Sequence, residues 1–107
     1  MAFHVYILRC SDRSYYTWHT DRLETRLIAH ERGEFQGYTQ NRLPVHLVFA
    51  QESPSRQDAI AKEHQIKGWS RAKKEALITG DWDRLTVLAR RSSKMANPDN
   101  HDGYIGL

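Results

Sequence analysis

The sequence predicts an α/β domain of the α+β kind, a three-stranded antiparallel sheet flanked by helices, and three observations lead there. Residues 3–10 are apolar on both faces, with Phe3, Val5 and Ile7 on one side and Tyr6, Leu8 and Cys10 on the other, as in a central strand covered from both sides. Residues 14–19 and 43–51 supply two further runs of β-forming type. The remainder shows helical periodicity punctuated by Gly33, Gly68 and Gly80.

A chain of 107 residues holds one core of useful size, so any function has to fit one small site. Apolar residues make up 39% and charged residues 27%, a globular balance far from that of disordered chains. No apolar run approaches the roughly 20 residues of a membrane span. The start, Met1-Ala2-Phe3-His4, lacks a basic region followed by a hydrophobic stretch, so the sequence reads as cytoplasmic, with no membrane partner and no obligate protein partner evident. A lone Cys10 excludes an internal disulfide framework and a cysteine-rich zinc site, and reads as a small apolar residue within a strand. The formal charge of +3 suits a polyanionic partner. Lys62, Lys67, Arg71, Lys73 and Lys74 crowd into one short stretch opposed by Glu63, which marks either a basic binding surface or a solvated helix face.

The first strand runs into Ser11-Asp12-Arg13, which carry turn chemistry, and the second returns antiparallel over residues 14–19. With an odd number of loop residues, so that Cys10 pairs with Ser14, even-numbered positions share a face and Tyr6, Tyr16 and Trp18 lie together. Thr20 or Asp21 caps a helix striped by Leu23, Leu27 and, at its edge, His30, ending at Gly33. A loop through Gly37-Tyr38-Thr39 leads to the third strand, where Pro44 marks strand entry or an edge. Ser53-Pro54 or Ser55 opens a second helix that Gly68 closes, Ser70 caps a third running to Gly80, and Asp81 caps a last one through Leu85 and Leu88. From Ser92 the residues are small, polar or turn-forming, so residues 1–91 are expected to form the domain and 92–107 a flexible tail.

Glu63 is the most informative position for chemistry. On its helix it sits among Ala59, Ile60 and Ile66, so its carboxylate projects from an apolar stripe and needs a partner. An internal salt bridge to Lys67 or Arg26 answers that need. So does a metal ion, and Mg²⁺ suits a lone carboxylate because it keeps most of its waters. Arg26 and His30 form an i, i+4 pair that either holds a phosphate, through the guanidinium fork and a ring that titrates near neutral pH, or is a surface pair without a role. Tyr6 and Tyr16 are either core aromatics or hydroxyls that lose a proton beside a cation and serve as a general base. His4, His19, His46, His64 and His101 show no zinc-site spacing.

Taken in order, these residues resemble the GIY-YIG endonuclease family, and most closely its small single-domain bacterial members, over roughly residues 3–88. The first family motif corresponds to Val5-Tyr6-Ile7 and the second to Tyr16-Thr17-Trp18, followed by Arg26-x-x-x-His30, the Tyr38-Thr39 loop and the helix with Ala61-Lys62-Glu63. Residues 66–78, from Ile66-Lys67-Gly68-Trp69 onward, also look like that small subfamily. The resemblance implies metal-dependent hydrolysis of phosphodiester bonds in DNA, structure-selective or weakly specific. In it Glu63 binds one divalent ion, Mg²⁺ or Mn²⁺. Tyr6 positions or deprotonates the attacking water, and Tyr16, Arg26 and His30 hold and polarise the phosphate. Tyr38 lines the same cleft, and Lys67, Lys73 and Lys74 supply sequence-independent substrate binding.

Two features depart from the family pattern. The second motif ends in Trp18 where the family has glycine, and no match appears for the polar residue, often Asn, that many members carry after the glutamate helix. An indole at position 18 either blocks the phosphate path or stacks on an unpaired base as a substrate-binding group. The alternative to an active nuclease is therefore a catalytically impaired nucleic-acid-binding protein of the same fold. A third reading takes the helices around Gly68 as a helix-turn-helix that inserts residues 70–78 into a major groove. The literal Tyr104-Ile105-Gly106 lies in the expected tail and carries no function.

Overall fold

Apolar side chains on both faces put β1 (Phe3–Arg9) in the middle of the sheet, with β2 (Tyr15–Thr20) paired antiparallel on one side and β3 (His46–Ser53) on the other. The computed structural model describes residues 2–34 and 37–94, and the chain divides into two units, Met1–Glu63 and His64–Leu107. In the β1–β2 turn the Cys10 amide donates to the Ser14 carbonyl and the Arg13 amide to the Cys10 carbonyl, each at 2.9 Å. The resulting register sets Tyr6 opposite Trp18 and Leu8 opposite Tyr16, so the even-numbered face forms as the sequence predicts. On that face Tyr6, Leu8, Cys10 and Val45 are buried, with Tyr16, Trp18, Leu23 and Leu27 packed against them. Val5 and Ile7, on the opposite face, are also fully buried.

The third strand starts later than the composition suggests, at His46 rather than at residue 43, because Pro44 has no N–H to give to a ladder. The first helix, α1 (Leu23–Glu31), also differs in its start. Its N-cap is Arg22, with no side-chain cap, and Thr20 Oγ1 instead accepts the Arg22 amide at 3.0 Å, one step before the helix. Its end at Gly33 is as expected, with φ +70°. α2 (Arg56–Lys67) starts behind Ser55, whose hydroxyl accepts the Asp58 amide and donates to the Asp58 carboxylate, each at 3.1 Å.

In the second unit, α3 (Arg71–Thr79) is capped by Ser70, which accepts the Lys73 amide at 3.2 Å, and it ends at Gly80 with φ +73°. Asp81 Oδ1 accepts the Arg84 amide at 3.1 Å and opens α4 (Trp82–Lys94), against which α3 packs. α4 continues past Ser92 to Lys94, since serine tolerates a helix and no glycine or proline intervenes before Pro98. Residues 95–107, including Tyr104-Ile105-Gly106, lie outside the described part.

The two helix-ending glycines yield a paired expectation. A Cβ on Gly80 meets nothing within 4 Å, so Gly80→Ala carries only left-handed backbone strain, about 1 kcal/mol. A Cβ on Gly33 lies 3.0 Å from Leu43 Cδ1, so Gly33→Ala should lose more, about 1–2 kcal/mol in all. Urea unfolding of both variants checks the order, and a stabilised Gly80→Ala would contradict the left-handed cap.

Candidate active site

The even face of the hairpin and the last turn of α1 converge on a buried hydrogen-bond chain. Tyr6 is fully buried and its hydroxyl lies 2.9 Å from His30 Nε2, while His30 Nδ1 lies 3.1 Å from Thr39 Oγ1. Both His30 and Thr39 are buried, so the polar chain is enclosed by the core and satisfied within it. Burial pushes the Tyr6 hydroxyl well above the ordinary tyrosine range, with nearby Tyr16 and Glu63 adding to the rise and Arg26 opposing it. Burial, and then the Arg26 charge, lower His30 to about 4. His30 is therefore a neutral ring at pH 7. For His30 neither the near-neutral titration expected of a phosphate-holding ring nor the alternative of a surface pair without a role holds, because the ring is buried.

Glu63 is nearly inaccessible, 2% exposed, and the partner that the sequence does not announce is His19 at the end of β2. His19 Nδ1 donates to Glu63 Oε1 at 2.6 Å, a short, charge-strengthened contact that ties α2 to the sheet edge. Glu63 also acts on the tyrosines. The Tyr16 hydroxyl is raised by burial first and by the Glu63 charge next, with Arg26 again pulling the other way. Tyr6, Tyr16, His30, Arg26 and Glu63 thus share one electrostatic neighbourhood, all within Met1–Glu63.

Around this cluster the aromatic side chains stack in a row. Tyr16 lies against Trp18 with ring centres 6.2 Å apart and planes 17° off parallel, and against Tyr38 at 6.0 Å and 23°. Trp18 also lies against the His19 ring at 5.5 Å and 21°. The Arg42 guanidinium covers Tyr38 at 3.9 Å, donates to the Tyr38 carbonyl at 2.8 Å and pairs with Asp12 at 2.9 Å. Tyr38 retains 39% of its surface and is the accessible member of the row.

Lys67, Lys73 and Lys74 lie beyond residue 63 and belong to the other unit. Lys73 sits over the Trp69 ring at 4.4 Å and is lowered by burial. Lys74 is lowered by burial and then by the neighbouring Arg71 and Lys67 charges, so the basic cluster exists but is half-buried. Among the described residues no group of three His, Cys, Asp or Glu side chains forms a metal cage. One enclosed carboxylate with one imidazole beside it is a donor set that fits a single, mostly hydrated divalent ion. Sequence reasoning missed His19, Thr39 as a ring partner, and Arg42. His19 and Glu63 are separated by 44 positions, and no periodicity links them.

A family model described as the GIY-YIG catalytic domain matches residues 2–76. A UPF0213 protein of Natronomonas pharaonis is 42% identical over 78 residues, covering 73% of this chain and 92% of that protein. The solution NMR structure of a UPF0213 protein from Bacillus halodurans is 37% identical, with a TM-score of 0.50 over 80% of this chain and 95% of that one. That of a protein from E. faecalis is 30% identical, with a TM-score of 0.53 over 75% and 85%. Among the described residues no helix is long and apolar enough to cross a membrane.

His30 makes a pH-dependent contribution whose sign follows from its depressed value. Between its ordinary 6.5 and about 4 the unfolded chain binds a proton that the folded chain refuses, so stability falls as pH falls through that window. The loss reaches about 3 kcal/mol. Urea titrations at pH 4 and pH 7 should show that much more acid sensitivity in the wild type than in His30→Gln, and equal slopes would mean that the ring is not buried neutral.

Proposed function

Because the chain belongs to the GIY-YIG family, a family of nuclease domains, we propose that it is a metal-dependent endonuclease that hydrolyses phosphodiester bonds in DNA, structure-selectively or with weak specificity. The observation that carries this reading is the shared electrostatic neighbourhood of Glu63, Tyr6, Tyr16, Arg26 and His30, where one buried carboxylate and one guanidinium act in opposite senses on a buried and a half-buried tyrosine hydroxyl. Glu63 holds Mg²⁺ or Mn²⁺, which supplies positive charge against the phosphoryl oxygens and against the carboxylate that now helps to keep both tyrosines protonated. Tyr6 orients the attacking water, its hydroxyl fixed by His30, which Thr39 holds in turn. Arg26 offers its donor fork to the phosphate, and Tyr16 adds a hydroxyl from the same face. Trp18 and Tyr38 line the approach, and Lys67, Lys73 and Lys74 contribute contacts to the DNA backbone.

A second reading has its own support. Trp18 stands where the family motif has glycine and lies flat on Tyr16, so its ring fills space that a glycine would leave open. On that reading the protein binds nucleic acid with little or no cutting.

Branched, flapped and single-stranded DNA, incubated with Mg²⁺, Mn²⁺ or EDTA, separate the two. Glu63→Gln should reduce cutting to the level seen in EDTA while unfolding at nearly the same urea concentration, a loss of no more than about 1.5 kcal/mol, because the amide oxygen still accepts from His19. Cutting that survives this change removes Glu63 from the chemistry. Trp18→Gly should raise cutting of duplex or branched DNA at a stability loss of about 3 kcal/mol. Weaker single-strand binding by about 1–3 kcal/mol, with no gain in cutting, would favour the binding protein.

A further inference from the structure

We infer that His19 is a second ligand in the Glu63 cation site, and that its imidazole turns that site from Mg²⁺ toward Mn²⁺ and the other nitrogen-accepting divalent metals. The inference rests on the reading that Glu63 holds a cation, and it names a specificity device for that site. Three observations support it. His19 Nδ1 and Glu63 Oε1 face each other at 2.6 Å, close to the spacing of about 3 Å between adjacent donors around a divalent ion with donors at 2.0–2.1 Å. The pair is sheltered but reachable: Glu63 is 2% exposed and His19 16%. The ring is also held in place, with Trp18 stacked on it at 5.5 Å and 21°, so little ring freedom is lost on coordination.

The chemistry follows from the donor types. An all-oxygen site suits Mg²⁺, which favours carboxylates and water, whereas an imidazole nitrogen favours transition metals over Mg²⁺. When Nδ1 takes an ion, the neutral ring changes tautomer so that its hydrogen sits on Nε2, and Oε1 is released from that hydrogen bond to take the same ion.

The test uses the full chain with Mn²⁺ as the probe. Mn²⁺ binding is followed by electron paramagnetic resonance and Mg²⁺ by competition, and spin-echo modulation from ¹⁴N reports an imidazole on the bound ion. Wild type should show that modulation. His19→Gln keeps an N–H donor for Glu63 but removes the ring nitrogen, so it should lose the modulation and bind Mn²⁺ about tenfold more weakly or worse, with far less change for Mg²⁺. Loss of the hydrogen bond or of the fold would weaken both ions alike, and circular dichroism checks the latter. Wild-type Mn²⁺ bound without nitrogen modulation, or His19→Gln with an unchanged preference between the two ions, overturns the proposal. Glu63→Gln should lose both ions. If it keeps Mn²⁺ with the nitrogen signal, the reading of Glu63 as a cation ligand fails, and the shared site fails with it.

Discussion

The parity of the β1–β2 turn is the constraint on which the site depends. Cys10 and Ser14 close the loop, and that one pairing decides which alternate residues face α1. With it, Tyr6, Tyr16 and Trp18 join Leu8 and Cys10 on a face where Leu23 and Leu27 of α1 also pack. A one-residue slip would leave Tyr6 on one face and send Tyr16 and Trp18 to the other, beside Val5 and Ile7. His30 lies one turn beyond Leu27 in α1, so the packing that buries the leucines also delivers the ring to the Tyr6 hydroxyl at 2.9 Å. Core and candidate site are therefore the same residues, and a change to either tyrosine acts on stability and chemistry together.

That merging has an electrostatic consequence. A hydroxyl enclosed by apolar neighbours holds its proton, and Glu63 strengthens the hold on Tyr6 and Tyr16 where Arg26 weakens it. The balance is set by two opposite charges on different elements, α1 and α2. Neutralising Glu63 removes one contributor to the rise while burial still raises both hydroxyls and Arg26 still opposes it, so positive charge on the carboxylate makes the hydroxyls easier to ionise. His30 adds no charge at neutral pH, because the same enclosure that raises the tyrosines lowers it to about 4. The enclosed chain from Tyr6 to Thr39 is thus neutral as it stands, and it positions groups more than it stores charge.

What was legible in the sequence is what local pattern controls. The two-faced apolar run announced the central strand, the shared face followed from the sequence once the turn had odd length, and the i, i+4 spacing of Arg26 and His30 placed them on one side of α1. Glu63 was legible as a carboxylate out of place on an apolar stripe, and it is buried as that position requires. Its contact with His19 was not legible, since alternation alone assigns residue 19 to the face opposite Tyr16 and Trp18, and no periodicity links an edge strand to a helix 44 positions later. The Thr39 contact was hidden for a similar reason: it joins a helix end to a loop nine residues later, and no repeat sets that distance. The start of β3 and the N-cap of α1 moved by a few positions because a missing proline N–H and a Thr20 bond to the Arg22 amide outrank composition.

Trp18 and His19 are best understood as a unit. Each has a local partner, Tyr16 for the indole and Glu63 for the imidazole, and the two rings lie against each other at 21°. The stacked row is thereby closed at both ends, by Arg42 over Tyr38 and by His19 against Trp18. The exposed part of Tyr38 offers an unpaired base one place to join it, and displacing one of those two caps offers another. Displacing His19 from Trp18 would also disturb the ring that holds Glu63, so base stacking at Trp18 and the environment of the carboxylate are physically linked. A glycine at position 18 would break that link from the other side, removing the surface on which His19 rests. The Trp18 ring therefore acts beyond the room it fills, because it lies against the imidazole that stands beside Glu63.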